Sequence, residues 1–317
     1  MKIGRRDIQV LDAPNYLSLT NNFLATLGFI YSARRVLFTR GGYGLHSVGN
    51  LNWRLNFEPI QQIGPAAALV LAAELDRWTY LRGMPPRPLV ETWQPHVQTV
   101  FHDLGLLPLL GLPQFQRPVA PGQSALKFLP FMRGQLTQGK DAEDLRSDLE
   151  ELAGFRVSAP HAIYNAICEA MTNVMQHAYR YPDAAWPAPY MRCWWAAGAY
   201  NERAKTLHFF MYDQGVGIPR TLPKSGFWEQ ILALRLERTD ADLIDGAIEV
   251  RRSSTARPGR GRGLDEIVSF IDAEGRGRLR IVSGNGEVCY MPAKARTRRT
   301  LPGRLIGTLI EWQITHD

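Results

Sequence analysis

The stretch ICEAMTNVMQHAY, Ile167 to Tyr179, decides the fold. Glu169, Asn173 and His177 stand at strict four-residue spacing, and residues four apart lie one above the other on an α-helix. Ile163, Ile167, Ala170, Met171 and Val174 fall on an apolar face of the same helix. The pattern predicts a helix from about Ser158, which can cap it, to Tyr181, where Pro182 helps stop it. Such a helix packs on a core and carries a polar seam along one edge.

The segments around it read as a sheet. ALKFLPFMR precedes it as a strand and AEDLRSDLEELAG as a helix; YMRCWWAA, TLHFFMYD, RLRIVSG, EVCYMP and LIGTLIEWQI follow as strands. The later ones are expected to run antiparallel, with a hairpin turn at Gly284, Asn285 and Gly286. The picture is a sheet covered on one side by helices. LGLPQFQRPVAPGQS, around residues 110 to 124, is rich in turn formers and marks a domain boundary. Before it, RRVLFT and NLNWRLNFEP read as strands, Pro65 to Tyr80 as a helix, PLVETW as a strand and PHVQTVFHDLG as a helix, which argues a small α/β domain.

Composition bounds the class. The chain has 317 residues, 45% hydrophobic and 21% charged, as globular proteins do. Cys168, Cys193 and Cys289 are far apart and lack metal-ligand spacing, which suits a reducing cytoplasm. The N-terminus has no apolar core of a secretory signal, and IGPAAALVLAAEL is too short to span a bilayer, so a cytoplasmic protein without membrane attachment is expected. The net charge of +7 is local: residues 251–304 hold 13 Lys and Arg against 5 Asp and Glu. Little aromatic interleaving accompanies them, which argues against nucleic acid and for a solvated or nucleotide-facing surface.

Three further motifs carry chemistry. TLHFFMYD ends in DQGVGIP, where Asp213 can accept a hydrogen bond from an exocyclic amine while Gly215 and Gly217 let backbone approach a ligand. RPGRGRGLDEI sets Gly259, Gly261 and Gly263 before a helical stretch whose free N–H groups can bind phosphate. LIGTLIEW puts Gly307 and Thr308 inside an apolar strand, an odd place for glycine unless something approaches closely.

In this order the four pieces resemble the GHKL nucleotide-binding superfamily over roughly residues 121 to 317. The resemblance implies a Bergerat-type ATP-binding fold, a two-layer α/β sandwich with a mixed sheet and helices on one face. It implies ATP and Mg²⁺ as cofactors, with Asn173 as metal ligand and His177 completing the N-box set. It further implies Asp213 on the adenine amino group with Thr308 behind it, and Gly215 and Gly217 in the first glycine box. Gly259, Gly261 and Gly263 would anchor a lid over the phosphates, and Glu169 would be the general base. EAMTNVMQHAY is most similar to the anti-sigma-factor serine kinases, although 41 positions separate Ile218 from Gly259 and suggest an extended lid, about 219–262, with helices of its own. Residues 1–117 resemble, more loosely, the STAS fold of anti-anti-sigma factors; Pro65, Ala66 and Ala67 stand where those proteins carry a phosphorylatable serine, which implies a docking or sensing domain. The implied function is an Mg-ATP-binding regulatory protein, an ATPase or serine/threonine kinase acting on a regulatory protein partner, with a homodimer left open. The alternatives are an ATP-driven switch and a nucleotide sensor that phosphorylates nothing.

Two other motifs are set aside. GQLTQGKD, from Gly134, fits a P-loop until Asp141 replaces the Mg²⁺-binding hydroxyl. His102 in FHDLGLLPLL has an acid after it, as phosphoacceptor histidines do, but Gly105 and Pro108 follow at once and no long helical hairpin surrounds it.

Overall fold

The computed structural model describes residues 9–38, 53–82, 92–112, 116–117, 126–137, 139–180, 192–226, 228–234, 237–254 and 264–316. The chain divides into two compact units, Met1–Ser124 and Ala125–Asp317.

In the first unit, strands β1 (Gln9–Asp12) and β3 (Trp53–Asn56) pair in parallel, as do β2 (Tyr16–Leu17) and β4 (Gln62–Ile63). Helices α1 (Phe23–Phe38), α2 (Pro65–Arg82) and α3 (Pro95–Asp103) accompany them. Of RRVLFT, expected as a strand, residues 34–38 are instead the last part of α1, and Thr39 lies outside the described residues. The helix begins on the buried apolar residues Phe23, Leu27 and Ile30 at helical spacing, and that longer period overrides local strand propensity. The buried Arg34 of α1 forms a forked ion pair with the buried Glu74 of α2. Phe57, Trp93 and Phe101 pack as an aromatic cluster with centroids 5.0–5.1 Å apart. PLVETW falls mostly outside the described residues.

The second unit is built on five strands: β5 (Leu126–Gly134), β6 (Trp194–Asn201), β7 (Thr206–Asp213), β8 (Arg278–Tyr290) and β9 (Thr297–Thr315). Their order is β5-β6-β7-β9-β8. Every pairing in it is antiparallel, which corrects the expected mixed sheet. Connectivity accounts for two of the four pairings: β6 leads to β7 and β8 to β9 through short turns, which join antiparallel neighbours only. Helices α4 (Gly139–Ala153), α5 (Pro160–Asn173), α8 (Asp240–Ser254) and α9 (Leu264–Glu274) cover one face. Leu149, Ile167, Met171, Ile248 and Phe270 there meet Phe209, Met211, Ile310 and Trp312 of the sheet. Phe209 and Trp312 stack at 4.9 Å, and the Trp312 indole donates to Ile267 O at 2.9 Å, so this large core side chain is also satisfied. The opposite face is buried too: Trp195, Phe210, Tyr212 and Leu309 are all nearly inaccessible, beside a charged row in which Arg280 binds Glu287 and Glu311.

Three local expectations change. Ser158 does not cap α5; Ala159 holds the N-cap position without a side-chain cap, and its N–H donates to the Glu274 carboxylate of α9 instead. The helix ends at Asn173, and Val174–Ala178 continue it as a π-helical turn, so His177 is not one ideal α-turn beyond Asn173. The hairpin turn at Gly284–Gly286 does not exist: β8 runs on to Tyr290, and these residues form an irregularity within it. Their glycines answer to α8. A Cβ on Gly286 would overlap the backbone of Asp240 and Ala241, and one on Gly284 would overlap the Asp240 carboxylate, which accepts the Asn285 N–H at 2.8 Å.

The expected lid, 219–262, contains the short helices α6 (Ile218–Thr221) and α7 (Trp228–Ala233) and then α8. Ile244, Ala247 and Ile248 of α8 belong to the main core, so this part of the segment is a fixed layer of the domain. The basic surplus is largely paired where it is described. Arg296 and Arg298 reach Asp242, Asp245 and Glu249 of α8, and Arg299 reaches Glu287.

Because α8 rests directly on the backbone of β8, Gly286→Ala is expected to lower the unfolding free energy of the second unit by about 1–3 kcal/mol. Urea unfolding followed by Trp fluorescence checks this; an unchanged midpoint would show that α8 does not rest there.

Candidate functional site

A cavity of about 240 Å³ opens beside the C-terminal end of β7. Its rim brings together Asn173 and His177, Asp213 and Gly217, and Thr308, from three segments distant in sequence. The rest is mostly apolar: Ala170, Val174, Met211 and Ile310 come from the elements that carry the motifs, while Ile231 of α7 and Ala247 and Val250 of α8 come from helices the motifs did not point to. Glu169 and Gly215 are not among the lining residues. Glu169, partly exposed, lies one turn before Asn173 on α5. Gly259, Gly261 and Gly263 lie outside the described residues.

Asp213 is the centre of the polar end. It is the last residue of β7, 5% exposed, and pairs with Thr308 in the ladder to β9. Its Oδ1 accepts the Gly215 N–H at 2.7 Å. Burial pushes its pKa up to about 7, against hydrogen bonds from the Gly215 N–H, the Thr308 N–H and the Thr308 hydroxyl, which favour the ionised form. The carboxyl is thus oriented, dry and poised near neutrality.

Backbone apposition holds it there. Gly307 has φ +84°, and a Cβ on it would overlap the carbonyl of Asp213. A Cβ on Gly215 would overlap the Ala178 carbonyl, which accepts the Val216 N–H at 2.9 Å. Tyr179, next along, donates its hydroxyl to Cys193 O at 2.7 Å and accepts the Gln214 N–H at 3.0 Å; burial pushes its pKa well up and keeps it neutral. The π turn thereby ties the end of the helix seam to the exit of β7. Gly215 therefore serves helix-to-strand packing, and Gly217, at φ +86°, lies against Ser283.

Ser283 is the residue that sequence reasoning missed. It is fully buried, donates to Gly307 O at 2.9 Å, accepts the Ile218 N–H at 2.9 Å and lies 3.1 Å from Thr308 Oγ1. One hydroxyl thus joins the glycine turn after β7, the glycine of β9 and the partner of Asp213. Its only sequence signal is a small polar residue directly after the apolar pair Ile281 and Val282.

Asn173 faces the same cavity, and its Nδ2 is buried without a hydrogen-bond partner. An amide left unmatched inside a protein costs on the order of 1–3 kcal/mol, which is why such groups mark ligand or water positions. Among the described residues no group of three or more His, Cys, Asp or Glu can hold a metal ion by itself. The unmatched Asn173 atom is an N–H donor and calls for an acceptor such as a phosphate oxygen; Mg²⁺ would need the Asn173 amide oxygen, completed by water and by oxygens of a ligand. No helix among the described residues is long and apolar enough to cross a membrane, and none of the three cysteines forms a disulfide.

The raised pKa of Asp213 fixes the sign of a pH effect. Folding takes up a proton at this group, so its contribution is fully present below the ordinary value of 3.8 and is lost as pH rises through about 7. The unfolding free energy of wild type is therefore expected to fall relative to that of Asp213→Asn between about pH 4 and 7, by on the order of 2–4 kcal/mol. Parallel urea titrations measure the difference; a pH-independent difference would place the carboxyl in water.

No family model and no curated protein matches this chain.

Proposed function

We propose that the second unit binds Mg-ATP in this cavity, as a GHKL-type domain, and acts as a regulatory ATPase or protein kinase toward a protein partner. The observation that carries the reading is Asp213: a buried, hydrogen-bonded carboxyl at the polar end of an apolar cavity, with an unmatched amide on the same rim. Apolar walls suit the faces of a purine, and the carboxylate accepts a proton of its exocyclic amine. Thr308 and Gly215 hold that carboxylate in place through their hydrogen bonds. Asn173 is the residue for Mg²⁺; the cation would neutralise phosphate charge when bound. Glu169, one turn earlier, is the proposed base for the attacking water or hydroxyl. For the first unit, the segment from β3 to α2 with Pro65, Ala66 and Ala67 at the helix start supports a STAS-like docking or sensing role without a phosphoacceptor hydroxyl.

One observation favours the sensor alternative: Glu169 is outside the cavity lining. Mutants separate the two readings. Asp213→Asn turns an acceptor oxygen into a donor facing the amine and should weaken ATP binding by about 1–3 kcal/mol in calorimetry. Unchanged affinity would remove the adenine assignment.

Glu169→Ala should keep Mg-ATP affinity and lose roughly 10²- to 10⁴-fold in turnover, whereas Asn173→Ala loses both. Wild-type turnover in Glu169→Ala, measured as phosphate release or transfer to a partner, would leave binding without catalysis by this residue.

A further inference from the structure

Helix α8 presents three different faces. Ile244 and Ile248 enter the core, Ala247 and Val250 line the cavity, and Asp242, Asp245 and Glu249 form a third stripe at helical spacing. That acidic stripe meets the β8–β9 hairpin. Arg296 Nε donates to Asp245 Oδ1 and its Nη2 to Glu249 Oε2 at 2.5 Å. Arg298 Nη1 lies 3.3 Å from Asp242 Oδ1 and 3.6 Å from Asp245 Oδ2. The side chains of Arg296 and Asp245 are only 19% and 14% exposed, so this is no solvated pair of the kind that contributes nothing measurable.

We propose that Arg296 is a positioning residue for the cavity: by clamping α8 to the hairpin it sets where Ala247 and Val250 stand, and through them the affinity for the ligand. The inference rests on the nucleotide reading above. The apolar side of the helix is seated by Ile244, Ala247 and Ile248 in the core, and Arg296 holds the acidic side. The first turn of α8 is seated by the Asp240–Asn285 contact and by Thr239, whose hydroxyl donates to Asp242 and whose N–H does the same. One to three turns further on, beside the cavity residues, Arg296 and Arg298 bind the acidic stripe of the helix. Arg296 reaches across two turns, from Asp245 to Glu249, and so resists both rolling and lifting of the helix. A planar fork with two acceptors is needed for this, and a lysine offers a single point of charge.

The test uses the full chain. Arg296→Gln is expected to speed amide hydrogen exchange over residues 240–250, with α5 and β7 unchanged, and to raise the Kd for Mg-ATP about tenfold, with turnover at saturating ATP within about twofold of wild type. Arg296→Lys should recover part of the affinity, and the charge swap Arg296→Asp with Asp245→Arg should recover more than either single variant. Unchanged exchange over 240–250 would overturn the clamp. Faster exchange with an unaltered Kd would overturn its link to the cavity, since a purely structural role lowers stability without touching affinity. Failure of the wild type itself to bind ATP would remove the nucleotide reading instead, and the exchange comparison would still decide whether Arg296 holds the helix.

Discussion

Everything at the candidate site depends on how closely two backbones approach at Gly307 and Asp213. Strand β9 bulges as it passes the end of β7, and only a residue without Cβ lets the carbonyl of Asp213 lie against it. That contact places Thr308 where both its N–H and its hydroxyl reach the Asp213 carboxyl, and places the Gly307 carbonyl where Ser283 can donate to it. The same hydroxyl takes the Ile218 N–H and so fixes the start of α6. A single steric constraint thus orients the acid, the turn and the first apolar wall of the cavity. Each of these polar groups is withdrawn from water, and a partly satisfied network there would cost more than an apolar one, so the arrangement is kept only as a whole.

The desolvated acid has an energetic meaning. Its neighbours donate three hydrogen bonds, yet burial still raises its pKa to about 7. A carboxyl in that state has unspent capacity to be stabilised as an anion. A ligand donor arriving from the cavity supplies what the protein withholds, and binding draws strength from the difference between the two protonation states. The unmatched Asn173 amide on the same rim is a second group of this kind. Sites that store unmet polar demand are where a fold departs from its own stability optimum.

Much of this was legible in the sequence, for a definite reason. Asn173, His177, Asp213, Gly217 and Thr308 each sit at an element end or an odd position within an element, and local pattern reports such places well. What escaped was set by contacts between distant segments. Ser283 looks like any strand serine until Gly307 and Ile218 are packed around it. Gly284-Asn285-Gly286 reads as a turn, because the same residues that permit a turn also permit α8 to lie on a strand. RRVLFT has strand propensity, and only the preceding apolar face of Phe23, Leu27 and Ile30 turns it into helix. The cavity wall from α7 and α8 carries no motif at all, being made of ordinary small and branched apolar residues.

The sheet order has a consequence for the birth of the domain. β9 is flanked by β7 and β8, although 83 residues of chain separate Asp213 from Thr297. Until residues 297–315 have left the ribosome, β7 has one bare edge and β8 has no partner in the sheet, so the growing chain carries unpaired strand backbone and uncovered aromatic side chains. Pairings this distant in sequence close slowly and late. The nascent protein passes through a long interval in which a chaperone, or a neighbouring nascent chain, competes for the edge that β9 will finally take.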